Sequence, residues 1–320
     1  MKTMIIDNRW KTGNGRGRTA TLLVGLALAL SVPVTGLKAQ VLDISNSVLL
    51  SWPESAQQQI VVGADSLASN AVWAPWPEPI FKRFGQMCVA VPTTASQQFF
   101  KTVLGTQFLD DFTDTQPPFT NRKPYTNIWA KPQHDVTVTN GILRVGAQGA
   151  MSFAGILLCP PSHPLTVRDF YSSVDILSWT TSNNIWSDFA LVARGHYFTP
   201  STGVFYMGGL ILNRDNILGN MECRIYRSCN VYPYDRTYNH GSRFNIQTTP
   251  PPYRLEFSGV GSNLTMRVLS LPTKAVIQEM TVSDTTSAEG FVGLFVDMPD
   301  NNSGSHQVMA DNYFVTGTKP

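Results

Sequence analysis

Beyond residue 105 the chain repeats one pattern. Short runs in which apolar and polar side chains alternate are separated by Gly, Asn, Asp or Pro. In 253–258, Tyr253, Leu255 and Phe257 alternate with Arg254, Glu256 and Ser258. A period of two puts one packed and one wet face on a strand. The same reading predicts strands over 135–140, 142–146, 167–176, 187–196, 204–214, 222–227, 263–269, 275–282, 290–297 and 308–316. Asn140-Gly141 is a two-residue hairpin turn, and Gly259-Val260-Gly261-Ser262 joins 253–258 to 263–269. In 187–196, Asp188, Ala190, Val192, Arg194 and His196 fall on one face. Phe189, Leu191, Ala193 and Gly195 fall on the other, as a core set. The polar stretch 213–220 and the Tyr-rich stretch 230–245 read as loops. No useful stretch has helical period. The expected fold is all-β, a two-sheet antiparallel jelly-roll sandwich over 106–320.

Residues 40–105 read as a smaller N-terminal β domain. Its strands are short, at 47–52, 60–62 and 97–101, with Pro75, Pro77 and Pro79 between them. In 86–92, Met87, Val89 and Val91 share one face, and Cys88 and Ala90 the other. Residues 1–39 follow a different logic. Arg9, Lys11, Arg16 and Arg18 precede an apolar run at 20–34, and Ala39 supplies a small residue for cleavage. The run is shorter than the roughly 20 residues of a membrane span, so the segment reads as a secretory signal peptide, with an uncleaved N-terminal anchor as the alternative. Cleavage removes six basic side chains and one acid, and takes the net charge from +2 to −3. Nucleic-acid binding then loses its electrostatic basis, and no membrane span is expected in the mature chain. The expected location is extracellular or in the cell envelope. Export permits disulfides. Cys223 and Cys229, six apart, read either as a bridge or as two buried thiols.

Residues 40–105 resemble a small fibronectin-type-III-like module of exported bacterial proteins. Leu50-Ser51-Trp52-Pro53, Ala64-Asp65-Ser66-Leu67 with Trp73, and Phe99-Phe100-Lys101 carry the resemblance, with Lys101 where the module has Arg. Residues 106–320 resemble the concanavalin-A-like lectin/glucanase (LamG-like) jelly rolls. The motifs are Leu109-Asp110-Asp111-Phe112, Trp129 with 138–145, Asp169-Phe170 with Val174-Asp175, 289–294 and 310–315. The resemblance implies a glycan-binding module, a glucanase or a polysaccharide lyase, because one fold hosts all three.

Three kinds of chemistry are possible on this frame. Asp110 and Asp111 open the first strand and Asp311 lies in the last, where the resemblance implies a structural calcium; the alternative is turn-capping by strand-end Asp residues. A glycan face needs rings and planar polar groups on a rigid sheet. Trp179, Trp186, Arg194, His196, Tyr206, Arg224 and Tyr226 are its candidates. Glycoside hydrolysis needs two placed carboxylates. The E-x-D-x-E strand of the laminarinase-type relatives is missing here, which favours binding over hydrolysis. The expected function is that of an exported, non-catalytic glycan-binding or surface-interaction protein, its partner a polysaccharide or glycoconjugate. A secreted lyase or hydrolase and a structural envelope or matrix protein are the alternatives.

Overall fold

The computed structural model describes residues 4–6, 47–54, 59–92, 98–110, 112, 135–148, 153–158, 165–181, 186–199, 202–213, 217–229, 236–298 and 305–320. They form β1 (Met4–Ile6), β2 (Ser47–Pro53), β3 (Gln59–Ala64), β4 (Ala74–Pro75), β5 (Phe81–Arg83), β6 (Gln86–Pro92), β7 (Gln98–Asp110), β8 (Asp135–Thr139), β9 (Ile142–Gln148), β10 (Phe153–Leu158) and β11 (Thr166–Val167). Next come β12 (Phe170–Thr181), β13 (Ser187–Thr199), β14 (Thr202–Leu212), β15 (Asn220–Cys229), β16 (Arg236–Asn245), β17 (Tyr253–Val260), β18 (Asn263–Ser270), β19 (Val276–Ser283), β20 (Gly290–Met298) and β21 (Ser305–Thr318).

Two antiparallel sheets face each other. The long sheet runs β19-β18-β17-β12-β21-β7-β3-β4, with β1 beside β7, β9 beside β21 and β8 beside β9. The second sheet runs β10-β20-β13-β14-β15-β16, with β11 beside β20. The main core lies between them. Phe170, Tyr253, Leu255 and Phe257 from the long sheet meet Phe189, Leu191, Leu210 and Leu294 from the second. The alternation read in 253–258 is realised residue by residue as buried and half-buried positions. Contact is close at Gly208, where a Cβ would come within 2.6 Å of the Phe257 ring. The architecture is an all-β, two-sheet antiparallel sandwich.

A third sheet, β2-β6-β5, belongs to the N-terminal unit. Leu50, Trp52, Met87 and Val89 pack on Val61 and Phe100, and Trp76 meets Phe100 edge-on at 4.9 Å. Lys101 Nζ sits 4.0 Å from the centre of the Trp73 ring, so two positions that carry the module resemblance meet as a cation–π pair. β7 pairs with β3 through Phe99–Leu104 and with β21 through Gly105–Asp110. The division at 105/106 falls inside this strand, and both units hang on it. β1, within the expected leader, pairs with Gln98–Phe100.

Two loop and strand expectations are corrected. Residues 230–245 were read as a loop, but β16 pairs along β15. It ends the second sheet, and an edge strand tolerates the polar composition that hid it. β10 pairs with β20 where no strand was expected.

Candidate functional site

The second sheet has a face turned away from the long sheet, and its register builds three rows there. Asp188 opposes Ile211, which opposes Glu222, which opposes Arg243. Phe295 opposes Ala190, which opposes Gly209, which opposes Arg224. Val192 opposes Met207, which opposes Tyr226. Ala190 and Gly209 are the small members of the middle row between Phe295 and Arg224, and all four are buried. Phe205, Phe291, Phe295 and Tyr226 form an aromatic cluster with Ala190, Val192 and Met207, separate from the main core.

The polar members are tied together. Glu222 is fully buried and bridges two arginines: its Oε1 accepts from Arg224 Nε and its Oε2 from Arg243 Nε at 3.2 Å. The Tyr226 hydroxyl donates to Asp188 Oδ2 at 3.4 Å. Arg224 is 6% exposed, and its Nη2 has no hydrogen-bond partner. A buried guanidinium N–H without an acceptor costs on the order of 1–3 kcal/mol, so such donors mark places where another group belongs. Arg243 keeps 46% of its side chain exposed and marks the edge from which the row meets solvent.

Of the seven predicted face residues, Arg224 and Tyr226 are brought together here. Arg194 is not. Between Ala193 and His196 the register slips against β14, and between Val192 and Gly195 it slips against β20. Arg194 itself sits at φ 52°. This bulge inserts one residue and breaks the alternation that placed Arg194 beside Asp188 and Val192. Arg194 is instead 1% exposed at the end of the sandwich. It donates to the carbonyls of Arg168 (2.9 Å) and Ser287 (3.4 Å), and its Nη2 stands 3.7 Å from Asp169. Burial lowers its pKa, against the pull of Asp169. Tyr206 faces the main core. Its hydroxyl donates to Asp284 Oδ1 and accepts from Ser287 N at 3.0 Å. Burial, with the Asp284 bond, pushes its pKa up to about 12. Trp179 is a core residue whose Nε1 donates to Ser187 Oγ at 3.1 Å. Trp186 is half-buried just ahead of β13, and His196 is half-buried opposite Val204. These five do not join the Arg224 cluster. Asp188 and Glu222, which do, were not among the predicted face residues. Their period-two spacing with Ala190 and Arg224 was the available signal.

Of the two readings for Cys223 and Cys229, the structure has the buried thiol at Cys223 and not the bridge. Cys223 is a free, buried thiol in β15, opposite Leu210. Cys229 ends the same strand. Six residues of extended chain span about 20 Å, far beyond the roughly 7 Å limit between bridged Cα atoms. Burial, with Glu222 beside it, raises the Cys223 thiol to about 12.

The first and last strands of the sandwich do lie side by side, with Asp110 opposite Tyr313. The carboxylates serve their own turns: Asp110 Oδ1 accepts from Phe112 N at 2.9 Å and Asp311 Oδ1 from Asn312 N at 2.7 Å. Asp111 lies outside the described residues. Among the described residues no three His, Cys, Asp or Glu side chains gather to hold an ion.

No protein-family model matches the chain, and no curated protein matches it. Solved structures similar to it include the CBM2 module of the evolved Dit protein of Lactobacillus casei BL23 phage J-1 (13% identity over 67% of this chain and 97% of that one, TM-score 0.41). A legume lectin-like domain from Entamoeba histolytica (10% identity, 59% and 89%, TM-score 0.42) is another. A third is lectin I from Ulex europaeus in complex with the methyl glycoside of alpha-L-fucose (14% identity, 67% and 98%, TM-score 0.40). At this level of similarity they say nothing about what this chain binds. The sandwich stands on its own strand order.

Proposed function

We propose that the protein is an exported, non-catalytic glycan-binding protein whose ligand seats at the Arg224–Arg243 edge of the second sheet's outer face. The observation that carries the reading is the arginine pair at that edge. Arg224 is 6% exposed with an unused Nη2 donor, and Arg243, tied to it through Glu222, keeps 46% of its side chain exposed. Sugar hydroxyls accept from planar guanidinium donors that are held in place from behind, and Glu222 holds this pair. Hydrolysis is less well served. Both oxygens of Glu222 already accept from arginine, and Asp188 accepts from Tyr226. Export is supported by the basic residues and apolar run within 1–39.

The test is depletion of residues 40–320 from solution by a panel of insoluble and soluble polysaccharides. Retention on at least one polymer is expected. Arg224→Gln should weaken it by about tenfold or more, the loss of one charge-assisted hydrogen bond. No retention on any polymer would overturn the reading.

A further inference from the structure

The long sheet also has an outer face, and there the N-terminal unit closes a cleft of about 700 Å³. That volume falls within the range of small-molecule sites. One wall is the segment from Pro77 to Phe81, and the floor is β12, β17 and β21. The wall is fixed to the floor. Ile80 N donates to Gln107 Oε1 and Gln107 Nε2 donates back to Ile80 O, both at 3.0 Å. Gln107 lies in β7, which pairs with β21.

The polar groups inside are held in place from behind. Arg254 and Glu256 share one face of β17. Arg254 donates through Nε (2.7 Å) and Nη2 (3.0 Å) to the buried Asp175 carboxylate, which Asn312 Nδ2 also reaches at 3.0 Å. Its Nη1 remains as the donor edge that these bonds do not use. Glu256 Oε1 accepts from the Tyr171 hydroxyl at 2.7 Å, which leaves Oε2 as the other acceptor. Glu78 stands at the mouth, and Lys274 comes from the β18–β19 turn. Pro77, Phe81 and Phe314 supply apolar surface beside them.

We propose that this cleft is a second binding site, on the opposite side of the sandwich from Arg224, for a short neutral saccharide. Two acids and two bases line it, so no single sign of charge selects an ion. Donors and acceptors in alternation suit neighbouring hydroxyls, which give and take hydrogen bonds at adjacent atoms. Ring and proline surface suits the C–H face of a pyranose. The site uses none of the residues of the second-sheet face and stands or falls apart from it.

The test is isothermal titration calorimetry of residues 40–320 with maltotriose, cellotriose and laminaritriose as probes. Binding of at least one is expected. Glu256→Gln, which keeps an acceptor for Tyr171, and Glu78→Ala, at an exposed position, should each weaken it about tenfold. If Glu256→Gln does not fold, Glu78→Ala carries the test alone. The proposal is overturned if no trisaccharide binds, or if binding is indifferent to both variants. It is also overturned if only Arg224→Gln abolishes binding, because the sugar then sits on the second sheet.

Discussion

Asp175 is the residue on which the geometry of the long sheet's outer face turns. Its side chain is 5% exposed and accepts three hydrogen bonds, two from Arg254 and one from Asn312. Asp175→Ala strips all three and leaves a guanidinium without its counter-charge. Removing one partner of a buried ion pair costs about 3–5 kcal/mol. Arg254 keeps 30% of its side chain in solvent, which sets the expectation at the low end, about 3 kcal/mol. For a chain of this size each kcal/mol lowers the melting temperature by roughly 2 °C, so a fall of about 6 °C is expected. The double variant Asp175→Ala/Arg254→Met no longer strands a charge and should recover about 2 kcal/mol of that loss. Urea and thermal unfolding of wild type, both single variants and the double variant give the cycle directly. A single-variant cost below about 1 kcal/mol, or strict additivity in the double, would refute the claim that the pair is a coupled, desolvated unit.

Other outcomes follow from the same contacts. Burial raises the Asp284 pKa, but the bonds from Tyr206 and Thr286 and the charge of Arg227 outweigh it and hold the carboxyl below its ordinary 3.8. A depressed carboxyl contributes stability above its unfolded pKa and loses it as pH falls through the folded one. Asp284→Asn should therefore flatten the acid limb of stability against pH below about 4 and leave its slope near neutrality unchanged; equal slopes in both proteins would contradict this. Cys223 should resist alkylation in the native protein and react only on unfolding, and peptide mapping without reductant should find no 223–229 bridge. Intact mass of the exported protein should place its N-terminus at Gln40; a start at Met1 would remove the leader.

Where sequence and structure agree, the deciding physics is local. Asn140 and Gly141 both take positive φ, 53° and 72°, as the hairpin turn between β8 and β9 demands. Tyr253–Val260 pairs with Asn263–Ser270 around Gly261, also at positive φ. Period-two patterning places Phe189 and Leu191 inward and Ala190 and Val192 outward, as read. That logic holds until one residue is inserted. At Arg194 the bulge costs the pattern its parity, and nothing in the residue types around it announces the slip. Tyr206 and Trp179 misled for another reason. Each buries a polar handle by pairing it inside the sandwich, with Asp284 and Ser187, and a buried pair looks like an exposed ligand group when only one strand is in view.

The two candidate sites differ in how they are made, and that difference explains which one a linear reading could reach. Arg224 and Tyr226 lie on one strand with Glu222, two apart along the chain, so β15 alone presents them and alternation alone gathers them. The cleft takes Glu78 from one unit and Arg254 and Glu256 from the other, and they meet because β7 threads both units and Gln107 pins the loop at Ile80. No periodicity connects positions so far apart. The shared strand also gives the cleft a property that a flexible linker would not: its two sides are joined by a continuous hydrogen-bonded ladder, so the Ile80 segment is fixed to β7 before any ligand arrives. A site assembled that way loses little freedom on binding. Gln107→Ala, which cuts the pin without touching the lining, should therefore weaken trisaccharide binding through its entropy while leaving retention on polysaccharide at the second sheet intact. Equal affinity in Gln107→Ala and wild type would show that the wall needs no pin, and that the cleft is held by β7 alone.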